Sequence, residues 1–424
     1  MARSGGNAVR YHDLPPAYHR WKWRVLLAFA GFYASVYLGR FNFGLVIPLL
    51  IEDLRISRTE AGFITMAMMW GFGLGDLVHG RLSERFGFRH WIALGAWLTT
   101  LFNWLTSFGV SVLTLILPWT LNGFVNAMCW SPGIAMISQW WPRQDRGKAM
   151  GLVSTAAGTA ILLVWGISGS VASVWGWRAA FRYPLFLTAA MGTLCWLLVR
   201  DRPSDLGLPD YLEEDTVSSR AEALPPDELK GLRPYRRLFT NWRFLIACHI
   251  TGLGNIVRYG LLTWLPLYYA EAGGLNIKTM VAVTVAYPLG IACGPLLGGL
   301  ISDKVFRSRR SPMIVISCLL TASVLTAIAF SSPHNLVLGV ILLILGGFTL
   351  ALAPLGALAV DLAGRHMSGT AAGVLDAHGY LYAGLQAIII GWFLDISGRN
   401  WPAVFGMLAA TRLLSALLIM RVRA

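Results

Sequence analysis

The chain has 424 residues, 56% of them apolar and 13% charged, with a formal net charge of +14 and a mean hydropathy of +0.58. So much apolar surface excludes an ordinary soluble domain, and apolar runs of about 20 residues, each able to span a bilayer, recur from end to end. The positive charge follows the two sides of a membrane, so it gives no ground for a nucleic-acid partner.

The pattern predicts an all-α integral membrane protein of twelve transmembrane helices. They lie near 24–50, 61–80, 91–110, 112–141, 149–172, 177–199, 243–270, 280–301, 312–331, 335–362, 369–393 and 401–420. No small-residue cleavage pattern follows the first apolar run, which is expected to remain as a helix. That run carries Arg40. A guanidinium at a helix centre costs roughly 2.5–3.5 kcal/mol on insertion scales, so it faces a bundle interior or a watery path. At 3.6 residues per turn Tyr33, Tyr37 and Arg40 share one helical face, a wall suited to an oxyanion.

Lysine and arginine set the orientation. Arg3, Arg10, Arg20, Lys22 and Arg24 precede the first helix, Arg81, Arg85 and Arg89 follow the second, and Arg143, Arg146 and Lys148 follow the fourth. Lys304, Arg307, Arg309 and Arg310 follow the eighth, whereas the loops at 107–111 and 331–335 are almost uncharged. Both termini are expected on the cytoplasmic side of the cytoplasmic (inner or plasma) membrane. The polar segment 200–241 reads as a cytoplasmic linker between an N-terminal half, 1–199, and a C-terminal half, 242–424.

The halves repeat. Pro48 follows Arg40 at the same spacing as Pro266 follows Arg258. Glu84 and Asp303 lie 44 and 45 residues after those arginines, and the loop arginines Arg146 and Arg365 lie 106 and 107 after them. Two six-helix halves related by a pseudo-twofold along the membrane normal follow from these offsets. That axis puts Arg40 and Arg258 in equivalent places near the midplane, where two planar donor forks would meet a phosphate or carboxylate. The alternative is that each arginine pairs with an intramembrane acid, for which Asp76, Asp361 and Asp376 are the candidates. Asp76, on a face with Phe72 and His79, and Asp376, on a face with Tyr380, are either proton carriers or fixed ion-pair partners. Asn255, one turn before Arg258, is a candidate ligand contact or a packing residue, and His378 points away from Asp376 as a helix-contact histidine. The five cysteines show no ligand spacing and read as small core residues. No nucleotide-binding loop, metal cluster or nucleophilic triad is present in the sequence, so neither cofactor nor metal is expected.

Several stretches resemble a known family. The run from Gly80 to Arg89, its second copy at Gly299 to Lys304 and the twelve-helix repeat resemble the major facilitator superfamily. Tyr37-Leu-Gly-Arg-Phe-Asn42, Gly123 to Pro132, Arg200 to Pro209, Arg258-Tyr-Gly260 with Trp264-Leu-Pro266, and Gly369 to Gly373 with Gly379-Tyr-Leu381 resemble its organophosphate:phosphate antiporters. The resemblance implies a phosphate held by Arg40 and Arg258, with Tyr33, Tyr37 and Tyr380 lining the site. It also implies exchange of an organic phosphate for inorganic phosphate by rocker-switch alternating access. Glu84, Arg85, Asp303 and Lys304 resemble the superfamily's latch, which ties the halves together in one state. Two positions depart from the pattern: Asp76 stands where glycerol-3-phosphate members carry a lysine, and Ala157 where the family has a histidine. Proton-coupled symport of an organic carboxylate such as a sugar acid, and a membrane sensor of sugar phosphates on the same scaffold, remain open. The short tails offer a sensor no partner-binding domain, and an enzyme is not expected because no acid, base and nucleophile converge. The partners implied are a small anionic substrate, phosphate or a proton as coupling ion, and the lipid bilayer, with each chain a functional monomer.

Overall fold

The computed structural model describes residues 14–209, 233–306, 310–363 and 368–422. Among them every regular element is helical. In chain order α1 is Pro16–Leu54, α2 Arg58–Phe86, α3 Phe88–Thr106 and α4 Val112–Trp140. α5 runs through Arg143–Leu163, Val164–Ser168 and Gly169–Ala180, and α6 is Tyr183–Leu198. A short helix, Arg233–Thr240, leads into α7, Trp242–Glu271. α8 comprises Ile277–Thr284 and Ala286–Lys304, α9 is Arg310–Phe330, α10 comprises Leu336–Ala351 and Leu355–Ala363, α11 is Ser368–Ile396 and α12 Trp401–Ile419. Among the described residues nine helices are long and apolar enough to cross a membrane, and Tyr183–Leu198 and Leu336–Ala351 are shorter apolar helices.

Packing repeats the internal sequence symmetry. α1 lies on α5 and α6, α2 on α4, and α3 on α4 and α6; α7 lies on α11 and α12, α8 on α10, and α9 on α10 and α12. Close backbone approach is what the glycines contribute: a Cβ on Gly123 of α4 would strike the Met68 carbonyl of α2, and one on Gly347 of α10 the Tyr287 carbonyl of α8. The halves meet where α2 runs along α11, α1 touches α7 and α5 touches α8.

Several helix ends differ from the sequence expectation. α1 begins at Pro16, so Arg20, Lys22 and Arg24 are helical rather than upstream; Lys22 lies 4.3 Å from the Trp141 ring and Arg24 4.5 Å from Trp21. Polar side chains that find partners let a helix continue beyond the hydrocarbon. Glu84 and Arg85 likewise occupy the last turn of α2, which stops only at Gly87, whose φ of +88° is open to glycine. Arg146 is in the first turns of α5 rather than a loop. The helical run of α5 is interrupted at Gly176 (φ +78°), and 177–180 form a short turn of helix between that break and the start of α6 at Tyr183. Cys129, Cys195, Cys248 and Cys318 are buried, whereas Cys293 is exposed rather than core. Arg365, most of the linker and both terminal segments fall outside the described residues, as do the side chains of Arg146, Asp303, Lys304 and Asp361.

One end of the bundle is closed by charge. Arg58, at the start of α2, donates through Nε (3.0 Å) and Nη2 to Glu271 at the end of α7, and through Nη1 to Asp395 at the end of α11 (3.2 Å). Asp395 also accepts from the Thr59 amide (2.8 Å) and hydroxyl (2.6 Å).

Candidate functional site

Between the halves lies a cavity of about 630 Å³. Its wall extends to Gly151 and Thr155 near the start of α5 and to Gly356 in α10, toward the end of the bundle that carries the basic loops. Toward the other end, Phe41 stacks on Tyr259 with ring centroids 6.0 Å apart, and the Trp165 indole donates to Thr284 (2.9 Å) across the α5–α8 contact.

Arg40 sits at an interruption of α1. The turn Tyr37–Gly39 is 3₁₀, Arg40 and Phe41 have φ of −116° and −109°, and the α-helix resumes at Asn42. A continuous helix was the sequence expectation; the break is stabilised by buried amides supplied from α3 and α4. The Gly39 carbonyl accepts from Asn103 Nδ2 (3.2 Å) and Asn122 Nδ2 (2.7 Å), and Asn42 Nδ2 donates to Asn103 Oδ1 (3.1 Å) and the Ala180 carbonyl (3.3 Å). Without these donors the freed carbonyl would be buried unsatisfied, at a cost of about 1–3 kcal/mol. Tyr33, Tyr37 and Arg40 still line one wall.

Arg40, only 4% exposed, holds its guanidinium over the ring of Phe72 of α2, with its carbon 3.6 Å from the ring centroid. A desolvated contact of this kind is worth about 2 kcal/mol. Its Nη2 donates to the Tyr380 hydroxyl of α11, which also accepts from the Tyr259 hydroxyl (3.3 Å). Its Nε has no partner, and neither has Nε of Arg258, which reaches the cavity from the unbroken α7. Among the described residues neither arginine forms an ion pair. The pairing alternative is therefore absent for Asp76 and Asp376. Both carboxylates line the cavity, and Asp76 accepts a hydrogen bond from Ser131 (2.5 Å).

The same cavity gathers Asn255, Tyr380 and Ala157. His79 turns away, with Nε2 3.1 Å from the Phe124 carbonyl, and His378 packs 5.4 Å from His249 between α7 and α11. Glu84 and Arg85 are exposed and make no ion pair among the described residues. Phe72, Trp130, Tyr259 and Arg412 also stand on the cavity wall, where the sequence alone had assigned them no role. For Arg412 the signal was available, since it is the only charged residue in the run 401–420. The aromatic residues carried none, because one apolar ring in a membrane helix reads like another.

A Major Facilitator Superfamily model matches residues 29–386 and 282–424. The chain is 30% identical to a glycerol-3-phosphate transporter of Bacillus subtilis (strain 168), over 94% of this chain and 91% of that one. It is 28% identical to the membrane sensor protein UhpC of Salmonella typhimurium, over 96% and 93% of the two chains. The solved inward-facing structure of a bacterial homolog of the human lysosomal transporter Spinster superposes with a TM-score of 0.73 at 15% identity, covering 95% of this chain and 98% of that one. Together with the repeated helix packing, these matches make the chain a member of the major facilitator superfamily, in its organophosphate:phosphate antiporter family.

Proposed function

We propose that the protein is a secondary transporter that exchanges an organic phosphate for inorganic phosphate by alternating access. The observation that carries this reading is the pair Arg40 and Arg258, one from each half, facing one cavity with unpaired donors and, among the described residues, no ion pair to a carboxylate. Bound phosphate would draw the halves together across that cavity and so favour interconversion between the two open states. Tyr33, Tyr37, Tyr380 and Asn255 line the substrate path in this reading. Exposed Glu84 and Arg85, with Asp303 and Lys304, form the latch that engages when the cavity faces the other way. The halves are 1–199 and 242–424, joined by the linker 200–241, and each chain works as a monomer in the cytoplasmic membrane with both termini inside.

A proton-coupled symporter of organic carboxylates is the second reading, favoured by the two carboxylates on the cavity wall. The sensor relative adds a third, binding without transport. Labelled phosphate uptake into liposomes holding the purified chain and preloaded with unlabelled phosphate separates them. Uptake by exchange, independent of an imposed pH gradient, is the expected result. Uptake of carboxylates driven by that gradient would replace it with the symporter, and phosphate binding without flux would replace it with the sensor.

A further inference from the structure

Arg412 is fully buried in the middle of α12, yet it lines the cavity. Its Nη2 meets the Cys318 sulfur at 2.9 Å, a weak acceptor, and its Nε and Nη1 have no partner. No carboxylate among the described residues pairs with it. The Tyr287 hydroxyl of α8, behind the cavity wall, is also buried without a partner, within electrostatic reach of both Arg412 and Arg258. Gly254, on the cavity wall one turn before Arg258, leaves the approach open: a Cβ there would stand 3.1 Å from Arg412 Nη1. A buried guanidinium with unpaired donors at the edge of a cavity is suited to hold an anion.

We propose that Arg412, with Tyr287 behind it, forms a second anion subsite, and that the substrate carries two acidic groups. One is the phosphate between Arg40 and Arg258, so the inference rests on the proposed function; the other is a further acid, of which a carboxylate is the smallest, at Arg412. Gly254 precedes Arg258 by one turn of α7, so the approach to Arg412 and the second phosphate arginine lie on the same stretch of that helix. The subsite belongs wholly to the C-terminal half, through α8 and α12, whereas the phosphate is shared between the halves. The second acid therefore selects the substrate without itself bridging them.

The test uses four molecules that differ by one group at a time: glycerol, glycerate, glycerol 3-phosphate and 3-phosphoglycerate. Apparent affinities are read from thermal stabilisation of the purified full chain in detergent. In the unaltered protein 3-phosphoglycerate should bind at least about tenfold tighter than glycerol 3-phosphate, the worth of one charge-assisted contact. In Arg412→Gln that ratio should fall below about threefold, as one such contact is removed. If Arg412→Gln does not fold, Arg412→Lys and Tyr287→Phe take its place and should each reduce the ratio. A ratio near one in the unaltered protein, or an undiminished ratio in the variants that fold, overturns the subsite. The phosphate site is read separately from glycerol 3-phosphate against glycerol. Failure there removes the exchange reading and leaves glycerate against glycerol to judge Arg412 alone.

Discussion

The charge cluster Arg58, Glu271 and Asp395 predicts how firmly the cavity is shut at that end. These side chains are 13%, 12% and 23% exposed, so solvent screens them little. Arg58 belongs to the N-terminal half and its two acids to the C-terminal half, hence opening at this end must separate them. Glu271→Gln keeps the shape and one acceptor but removes the charge that takes two donors from Arg58. Hydrogen bonds to charged groups are worth about 1.5–3 kcal/mol each, and Asp395 still holds Arg58, so a net loss of about 2 kcal/mol is expected. That is roughly a 30-fold shift toward the state open at the Arg58 end. The reporter is Thr263→Cys, at a position 5% exposed on the α1–α7 seam, where a Cβ on Gly44 would lie 3.0 Å from Thr263 Cα. With Cys293→Ser removing the exposed native thiol, a membrane-impermeant maleimide applied from the Arg58 side should label Glu271→Gln about 30-fold faster than its parent, following the same open-state population. Equal labelling rates in two equally stable proteins would refute the gate.

The remaining predictions concern the site and its support. Arg40→Lys and Arg258→Lys should each reduce phosphate exchange by about 100-fold or more while the protein stays monodisperse, because lysine keeps the charge but loses the planar fork. Normal exchange by either variant removes that arginine from the site. Asp76→Asn takes a negative charge from the cavity wall and should tighten phosphate binding several-fold with the pH dependence of uptake unchanged; a lost pH dependence would make Asp76 the proton carrier. Asn103→Leu strips the Gly39 carbonyl of one of its two donors and Asn42 of one of its two acceptors. It should lower stability by about 2–4 kcal/mol, read as a drop in melting temperature, with Arg40 affinity for phosphate falling as the break loosens. An unchanged melting temperature would show that the asparagine cluster does not hold the break.

Much of the architecture was written along the chain. Apolar runs of bilayer length, basic loops at alternate turns and the repeated spacing around Arg40 and Arg258 determined a helical membrane protein in two related halves. Each signal is local, being set by the cost of exposing polar groups to lipid. The same cost made Arg40 and Arg258 conspicuous before any fold was known, and it applied equally to Arg412.

Only the tertiary structure decided which partners those charges have. Arg40 could have met Asp76 or Asp376; packing of α2 along α11 instead set it against Phe72 and the Tyr380 hydroxyl. The interruption of α1 depends on Asn103 and Asn122, which lie on other helices and look like ordinary polar residues in sequence. The closing cluster joins residues 58, 271 and 395, which no local pattern connects. Periodicity determines which face of a helix is buried, but the partner of a buried group depends on the crossing and depth of a second helix. That is a property of the packed bundle, and it left two arginines with free donors in one cavity and a third at its edge.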